Sequence, residues 1–489
     1  MKLPLLVKQT LMRAGALVAV KTIGLAGKVF ITRSLGMEGL GLYQLSYFFY
    51  ALILMIISGG VPTALAIYTS GHPNAGWGQF KGFSMVLLLL GGGASLITFL
   101  ESSWIASLLG YPQLDVVIRC LAPSLFAVPL LGLLRGYLQG LERYGIIAWS
   151  EIIEQSVRIG SLMLLIPLFI PSGLELAVGA AVLGTALGAI AAFAFLTAAI
   201  LFKFPDKSPS PSMDYRTGFM TIAKVSCIIS LTRLLVPASD FVDSLLIPQR
   251  LRVAGYSSLE AVQMLGVFTG IALVVAYMPT LFTGAITHIS TMKISSDWTN
   301  RKYRQFNKRR NYTIDLAWVW GWASSCFIFC FSPEISTLLF GVPSAEPSIK
   351  MLAVIPLLAG LREVTTSILW AKNQKKAPFL GLAVGIAANF TILYAAVAVP
   401  GMGYAGIALG TITLELVSTL WNFKVLQLFS YIKTRLALYA RDIVFFAALA
   451  LLCIGSYKWL VPPYGIMIEL ASYLLCSALY FKIRFKRLL

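Results

Sequence analysis

Long apolar runs, each wide enough to cross a bilayer, alternate along this chain with short polar segments. Several stretches carry no Asp, Glu, Lys or Arg at all, among them 39–80, 82–100, 176–202, 316–333 and 377–414. A membrane-spanning helix needs about 20 mainly apolar residues, so the runs 39–80 and 377–414 also contain connections. The whole pattern predicts about fourteen helices, centred near 20, 56, 91, 126, 158, 189, 232, 275, 323, 360, 388, 415, 449 and 473. Ten-residue segments of alternating polarity are absent, which argues against a membrane β-barrel. The expected fold is all-α and polytopic.

Composition supports this reading. Of 489 residues 58% are hydrophobic and 12% charged, and mean hydropathy is +0.81, whereas soluble domains carry about 25% charged residues. The net charge of +19 follows mainly from orientation. With a cytoplasmic N-terminus, 25 Lys and Arg fall in cytoplasmic segments and five (Arg33, Arg250, Arg252, Lys350, Lys458) on the other side. That asymmetry is the positive-inside signature, and an even helix count places both termini in the cytoplasm. The basic run from Arg301 to Arg310 is accordingly read as a topogenic loop beside anionic lipid headgroups, with no nucleic-acid partner. Arg13, Lys21 and Lys28 interrupt the first apolar stretch, which is unlike a cleaved signal peptide. All six cysteines lie in expected spans and only two histidines are present, so neither a disulfide framework nor metal-ligand spacing emerges. Cys326 and Cys330 are read as packing residues.

The chain repeats itself. Leu108-Leu109-Gly110-Tyr111-Pro112 is echoed by Leu339-Phe340-Gly341-Val342-Pro343, Val182-Leu183-Gly184-Thr185 by Ala408-Leu409-Gly410-Thr411, and Pro62-Thr63 by Pro279-Thr280. Shared order and near-constant offset predict two six-helix lobes in parallel orientation. The N-lobe is expected over 1–203, a Pro/Ser-rich cytoplasmic linker over 204–216, and the C-lobe over 217–428. Two appended helices and a basic tail fill 429–489.

Nine cations interrupt the apolar spans: Arg13, Lys21, Lys28, Arg119, Arg135, Arg158, Lys224, Arg233 and Arg362. A cation at a helix centre costs roughly 2.5 to 3.5 kcal/mol on insertion scales and so normally faces a bundle interior or water. Together they point to a positively charged chamber and an anionic cargo. Lys21 and Lys28, seven residues apart, share one flank of the first span; lining that chamber and snorkelling with a salt bridge both suit them. Glu154 and Arg158 have the spacing of an intrahelical pair, or Glu154 orients an Arg158 that faces the chamber. Arg135 fits an anion contact or an interfacial anchor. Asp240 and Asp243, one turn apart, suit a coupling Na+ or H+, or neutralise Arg233. Glu415 is a buried acid without an evident partner. The clusters Gly59-Gly60 and Gly91-Gly92-Gly93 suit close helix approach or bending.

Several segments resemble one family. Arg33-Ser34-Leu35-Gly36 with Glu38-Gly39-Leu40-Gly41-Leu42-Tyr43-Gln44, Leu134-Arg135-Gly136-Tyr137-Leu138-Gln139-Gly140, Glu154-Gln155-Ser156-Val157-Arg158, and Leu246 to Ser257 are similar to the stage V sporulation protein B type of polysaccharide flippase. This type belongs to the multidrug/oligosaccharidyl-lipid/polysaccharide (MOP) exporter superfamily. The resemblance implies two six-helix lobes and export of a polyprenyl-diphosphate-linked saccharide or cell-wall precursor across a bacterial cytoplasmic membrane. It implies membrane lipids and glycan-synthesis enzymes as partners and no catalytic residue. Related lipid II flippases carry a basic residue three positions before a glycine in the first helix, matched here by Lys21 before Gly24, with Lys28 one turn beyond that glycine. This chain has Lys where those relatives have Arg, a point charge in place of a planar fork.

The expected diphosphate contacts are therefore Lys21, Lys28, Arg135 and Arg158, with Glu154 positioning. A cation-coupled multidrug exporter of the same superfamily is the first alternative and predicts an acid-dominated cavity. A membrane-embedded glycan-synthesis enzyme is the second and requires a substantial outer loop with catalytic carboxylates. A scaffold for a wall-synthesis complex would keep its function after the cavity charges are removed.

Overall fold

A computed structural model describes residues 5–203, 215–456 and 464–485; side chains 5–14, 17 and 288 are among those outside the description. Most of the 204–216 linker, the Arg13 side chain and the last four residues of the tail therefore lie outside the described residues. Among the described residues the chain is helical throughout, with no strand. The helices are α1 (Leu5–Ser58), α2 (Val61–Gly71), α3 (Gly76–Leu100), α4 (Ser102–Leu108), α5 (Leu114–Gly140), α6 (Tyr144–Phe169), α7 (Leu174–Lys203), α8 (Tyr215–Val253), α9 (Ser258–Val267) and α10 (Leu273–Tyr277). They continue with α11 (Thr280–Thr299), α12 (Tyr303–Cys330), α13 (Ser332–Glu334), α14 (Glu346–Met351), α15 (Ile355–Ala371), α16 (Lys376–Ala396), α17 (Gly403–Val425), α18 (Leu428–Thr434), α19 (Leu436–Ser456) and α20 (Tyr464–Phe485).

Thirteen of the described helical stretches are long and apolar enough to cross a membrane. The first, Val18–Gly71, runs for 54 residues, more than twice the ~20 that one crossing needs. Its helical path breaks at Gly36, where φ is 68° and ψ −169°, a conformation that favours glycine. Two crossings in that stretch bring the total to the expected fourteen.

The chain forms two compact units, Met1–Gln249 with Ser258–Gly266, and Arg250–Ser257 with Val267–Leu489. Helix α8 lies mainly in the first unit, so contact packing does not follow the linker where the sequence repeat sets the lobe boundary. Gly60 explains part of that: a Cβ there would collide with the Ser226 carbonyl of α8. Gln79 Nε2 donates to the Tyr215 carbonyl at 2.9 Å, and Phe83 stacks on Phe219 with centroids 4.4 Å apart.

Each repeat match marks the same local device in its own unit. Gly110 (φ 82°) and Gly341 (φ 72°) both adopt the left-handed conformation after a short helical turn. The following amides both reach back into the preceding turn, Tyr111 five residues to Ala106 and Val342 six residues to Ser336. Pro62 sits in the first turn of α2 and Pro279 caps α11, so both prolines start a new helical segment, where their missing N–H costs nothing. Gly184 of α7 packs on the Arg158 carbonyl of α6, and Gly410 of α17 packs on Asn389 of α16.

In the second unit, α19 and α20 are joined to α12 by buried charge as well as apolar contact. Asp315 accepts from Tyr439 at 2.7 Å and Tyr431 at 3.0 Å and lies 3.6 Å from Arg435. Burial first and the Asp315 carboxylate second push the Tyr431 phenol up to about 12, so it remains a donor at neutral pH. Arg484 bonds both oxygens of Asp442 at 3.2 and 3.4 Å. Counted from sequence among the orienting cations of the tail, Arg484 is 8% exposed and paired; the carboxylates on α12 and α19 draw it inward. Cys326 and Cys330 pack against the apolar cluster around Phe446 and Tyr473.

Removing one partner of a buried pair leaves the other charge stranded, at about 3–5 kcal/mol. Asp442→Ala is therefore expected to lower the thermal unfolding midpoint of the purified protein clearly. Asp442→Ala combined with Arg484→Leu should recover most of the loss, as read by nanoscale differential scanning fluorimetry.

Candidate functional site

The site forms in the first unit where α1, its continuation beyond Gly36, and α6 approach closely. Gly27 makes that approach possible, since a Cβ there would overlap the Ile159 side chain; at Gly24 it would meet Gln155 Nε2 at 2.9 Å. Behind α6, Gly184 and Gly188 let α7 close onto the backbone of Glu154 and Arg158. Four glycines thus hold Lys28 and Arg158 on tightly packed helices.

Lys28 Nζ donates to Gln44 Oε1 at 2.5 Å and lies 5.1 Å from the Tyr43 ring centroid. Arg158 Nη2 donates to the Tyr43 hydroxyl at 3.1 Å, and its guanidinium sits 5.8 Å from the Tyr47 ring. The two cations are close enough to repel each other. Neither meets a carboxylate among the described residues; polar oxygens and aromatic faces hold them instead. Tyr43 is 2% exposed, stacks on Tyr47 at 6.1 Å, and Tyr47 in turn meets Tyr50 at 5.8 Å.

Glu154 turns away from Arg158. Its Oε2 accepts from Arg135 Nη1 at 2.6 Å, and Arg135 Nε donates to Ser150 at 2.9 Å. The intrahelical pair allowed by the i, i+4 spacing does not form, because an arginine from α5 offers a shorter bond. Arg135 is consequently neutralised, while Lys28 and Arg158 are not. Lys21 is exposed, two turns from Lys28.

The other spanning cations separate similarly. Arg119 bonds Asp115 at 3.1 Å and Ser102 at 2.8 Å. Arg233 donates to the Gly59 carbonyl at 3.2 Å, capping the end of α1. Lys224 lines an open hollow of about 340 Å³ with Arg216, Thr217, Met220 and Thr221. Asp240 is half-buried, and Asp243 lies one turn further along α8. In the second unit Glu415 finds the partner that sequence did not name: Arg362 Nε and Nη2 reach its two oxygens at 2.6 and 3.1 Å, and Tyr277 adds a bond at 2.8 Å.

Tyr43 and Gln44 lie in the motif Glu38 to Gln44, and neither is marked by charge as a site residue. The spacing of Tyr43, Tyr47 and Tyr50 puts all three on one helix face, the available signal for an aromatic wall.

The helix pattern and the chain trace define a class, a multi-pass membrane fold shared with solved transporters of the MOP superfamily. An inward-facing multidrug resistance MATE family transporter of that superfamily matches with a TM-score of 0.68 at 17% identity, covering 88% of this chain and 99% of the other. A MOP superfamily transporter from Pyrococcus furiosus, described as having a binding pocket of reverse polarity, matches at 0.59 and 18%, covering 86% and 95%. The chain belongs to the polysaccharide biosynthesis protein family, whose match spans residues 6–294, more than half its length. Stage V sporulation protein B of Bacillus subtilis is 24% identical, over 83% of this chain and 80% of that protein. Lipid II flippase MurJ of the same organism is 23% identical, over 75% and 72%. Relatives whose names state an activity are a flippase and transporters, not enzymes.

Glu154→Ala strands Arg135 and is expected to cost about 3 kcal/mol, the low end for a buried pair because this one is one-fifth exposed. Arg158→Met strands no carboxylate and should cost less. Thermal midpoints of the two purified variants, compared side by side, check this order.

Proposed function

We propose that this protein moves a polyprenyl-diphosphate-linked saccharide across the cytoplasmic membrane of a bacterium by alternating access, with both termini in the cytoplasm. The observation that carries the reading is the convergence of Lys28 and Arg158 on Tyr43 without a neutralising acid. Two unneutralised cations on a rigid wall suit a diphosphate, since charge-assisted bonds are about twice as strong as neutral ones. The name of the MurJ relative, a lipid II flippase, supports a lipid-linked cargo. Lys21 extends the cationic flank toward the start of α1, and Arg135 with Glu154 buttresses α6 rather than gripping the headgroup. Glycan-synthesis enzymes supply and consume the cargo. Where a cation drives the cycle, Na+ or H+, Asp240 with Asp243 beside it is its site on the first unit.

The multidrug-exporter alternative needs an acidic grip on cationic drugs. Lys28 and Arg158 form the opposite.

Leaflet-resolved transport of a fluorescent polyprenyl-diphosphate glycan by reconstituted protein tests the reading. Each lost charge-assisted bond is worth about 1.5–3 kcal/mol, so Lys28→Ala and Arg158→Ala should each slow flipping roughly 10- to 100-fold, and Arg158→Lys less. Unchanged flipping in the double variant Lys28→Ala/Arg158→Ala overturns it.

A further inference from the structure

The second unit holds a carboxyl group whose hydrogen bonds do not balance if it is ionised. Glu363 of α15 lies beside the Arg362–Glu415 pair. That pair is complete: one guanidinium engages both oxygens of one carboxylate, with Tyr277 as a third donor. Arg362 thus neutralises Glu415, and Glu363 remains as an additional acid in the same half-buried setting. Its recorded partner is the Thr283 hydroxyl of α11, 2.9 Å from Oε2.

Thr283 has one hydroxyl proton and two acceptors. Its Oγ1 also stands 2.9 Å from the Thr280 carbonyl, in the first turn of α11. If Glu363 is a carboxylate, that proton serves one acceptor and the other contact is two oxygens without a hydrogen. If Glu363 is a neutral carboxyl, its own O–H donates to Thr283 Oγ1 while Thr283 donates to Thr280, and both bonds are made. A hydroxyl carries one donor and two acceptor sites, so the neutral form satisfies this geometry.

We infer that Glu363 is a proton-binding site that reports to the bend between α10 and α11. The group it touches sits at that bend. Pro279 caps α11, its carbonyl accepts from Trp320 Nε1 at 2.9 Å, and Trp320 packs on Phe282 with centroids 4.1 Å apart. A Cβ at Gly360, one turn before Glu363, would stand 3.1 Å from Thr283 Cγ2, so α15 and the first turn of α11 are in direct contact. Loss of the proton to water breaks the carboxyl O–H bond and leaves a carboxylate. The Thr283 proton then turns to that carboxylate, and the Thr280 carbonyl loses its side-chain donor. The charged groups that act on Glu363 are Arg362 on its own helix and Glu415 from α17, and Glu415 in turn accepts from Tyr277 of α10. Neighbouring α11 presents Thr283.

This inference stands apart from the cargo reading, and so does its test. Infrared difference spectra of the purified, lipid-reconstituted full chain between mildly acidic and alkaline pH should contain a protonated-carboxyl C=O band. That band should vanish in Glu363→Gln, whose amide keeps a donor toward Thr283, and shift to higher frequency in Thr283→Val, where its hydrogen-bond acceptor is gone. Identical carboxyl bands in wild type and Glu363→Gln, or a Thr283→Val band that does not move, overturn the assignment whatever the transport assays show.

Discussion

Repulsion between two cations on neighbouring helices is the constraint around which the first unit is arranged. Lys28 and Arg158 cannot both sit among apolar helices without compensation, and the usual remedy, a carboxylate, is withheld. Glu154, four residues from Arg158, bonds Arg135 instead. What remains for the two cations is an amide oxygen, a phenol oxygen and aromatic faces, which steady a positive charge without cancelling it. Such an arrangement leaves the repulsion uncancelled, and the glycines at 24, 27, 184 and 188 keep the surrounding helices closely packed.

The second unit handles charge the opposite way. Where Gly184 of the first unit packs on the backbone of Arg158, its counterpart Gly410 packs on Asn389, a neutral residue. Arg362 of α15 is matched by both oxygens of Glu415. Asp315, Asp442 and Arg484 are likewise mutually engaged. A duplicated frame has thus come to carry unneutralised charge in one copy and paired charge in the other.

Much of the frame was legible because its causes are local. Apolar length fixes a span, a positive-φ glycine fixes a reversal and a proline fixes a helix start, so Gly110 with Gly341 and Pro62 with Pro279 showed the repeat before any coordinates. The site was legible only as a set of candidates. Spacing along one helix said that Glu154 and Arg158 were able to pair; it could not say that Arg135, from another helix, would come within 2.6 Å of the same oxygen. Glu415 appeared alone for the same reason, its partner being 53 residues away. Periodicity ranks neighbours within a helix, whereas ion pairing in a bundle is settled by whichever helix packs alongside.

One consequence of using a phenol in place of a carboxylate concerns protons. A carboxylate that accepts from Arg158 is acceptor only. The Tyr43 hydroxyl accepts from Arg158 and still owns a hydrogen of its own, with Lys28 held over the same ring. The three groups therefore present donors and no negative charge toward a common neighbourhood: an ammonium, a guanidinium and a phenol. A phosphate oxygen entering there meets hydrogen-bond donors without an acid to repel it. An ammonium-bearing ligand would find only like charge and the same ring faces already occupied. Tyrosine at position 43 answers the arginine without cancelling its charge, which is the feature that the proposed anionic cargo requires of this wall.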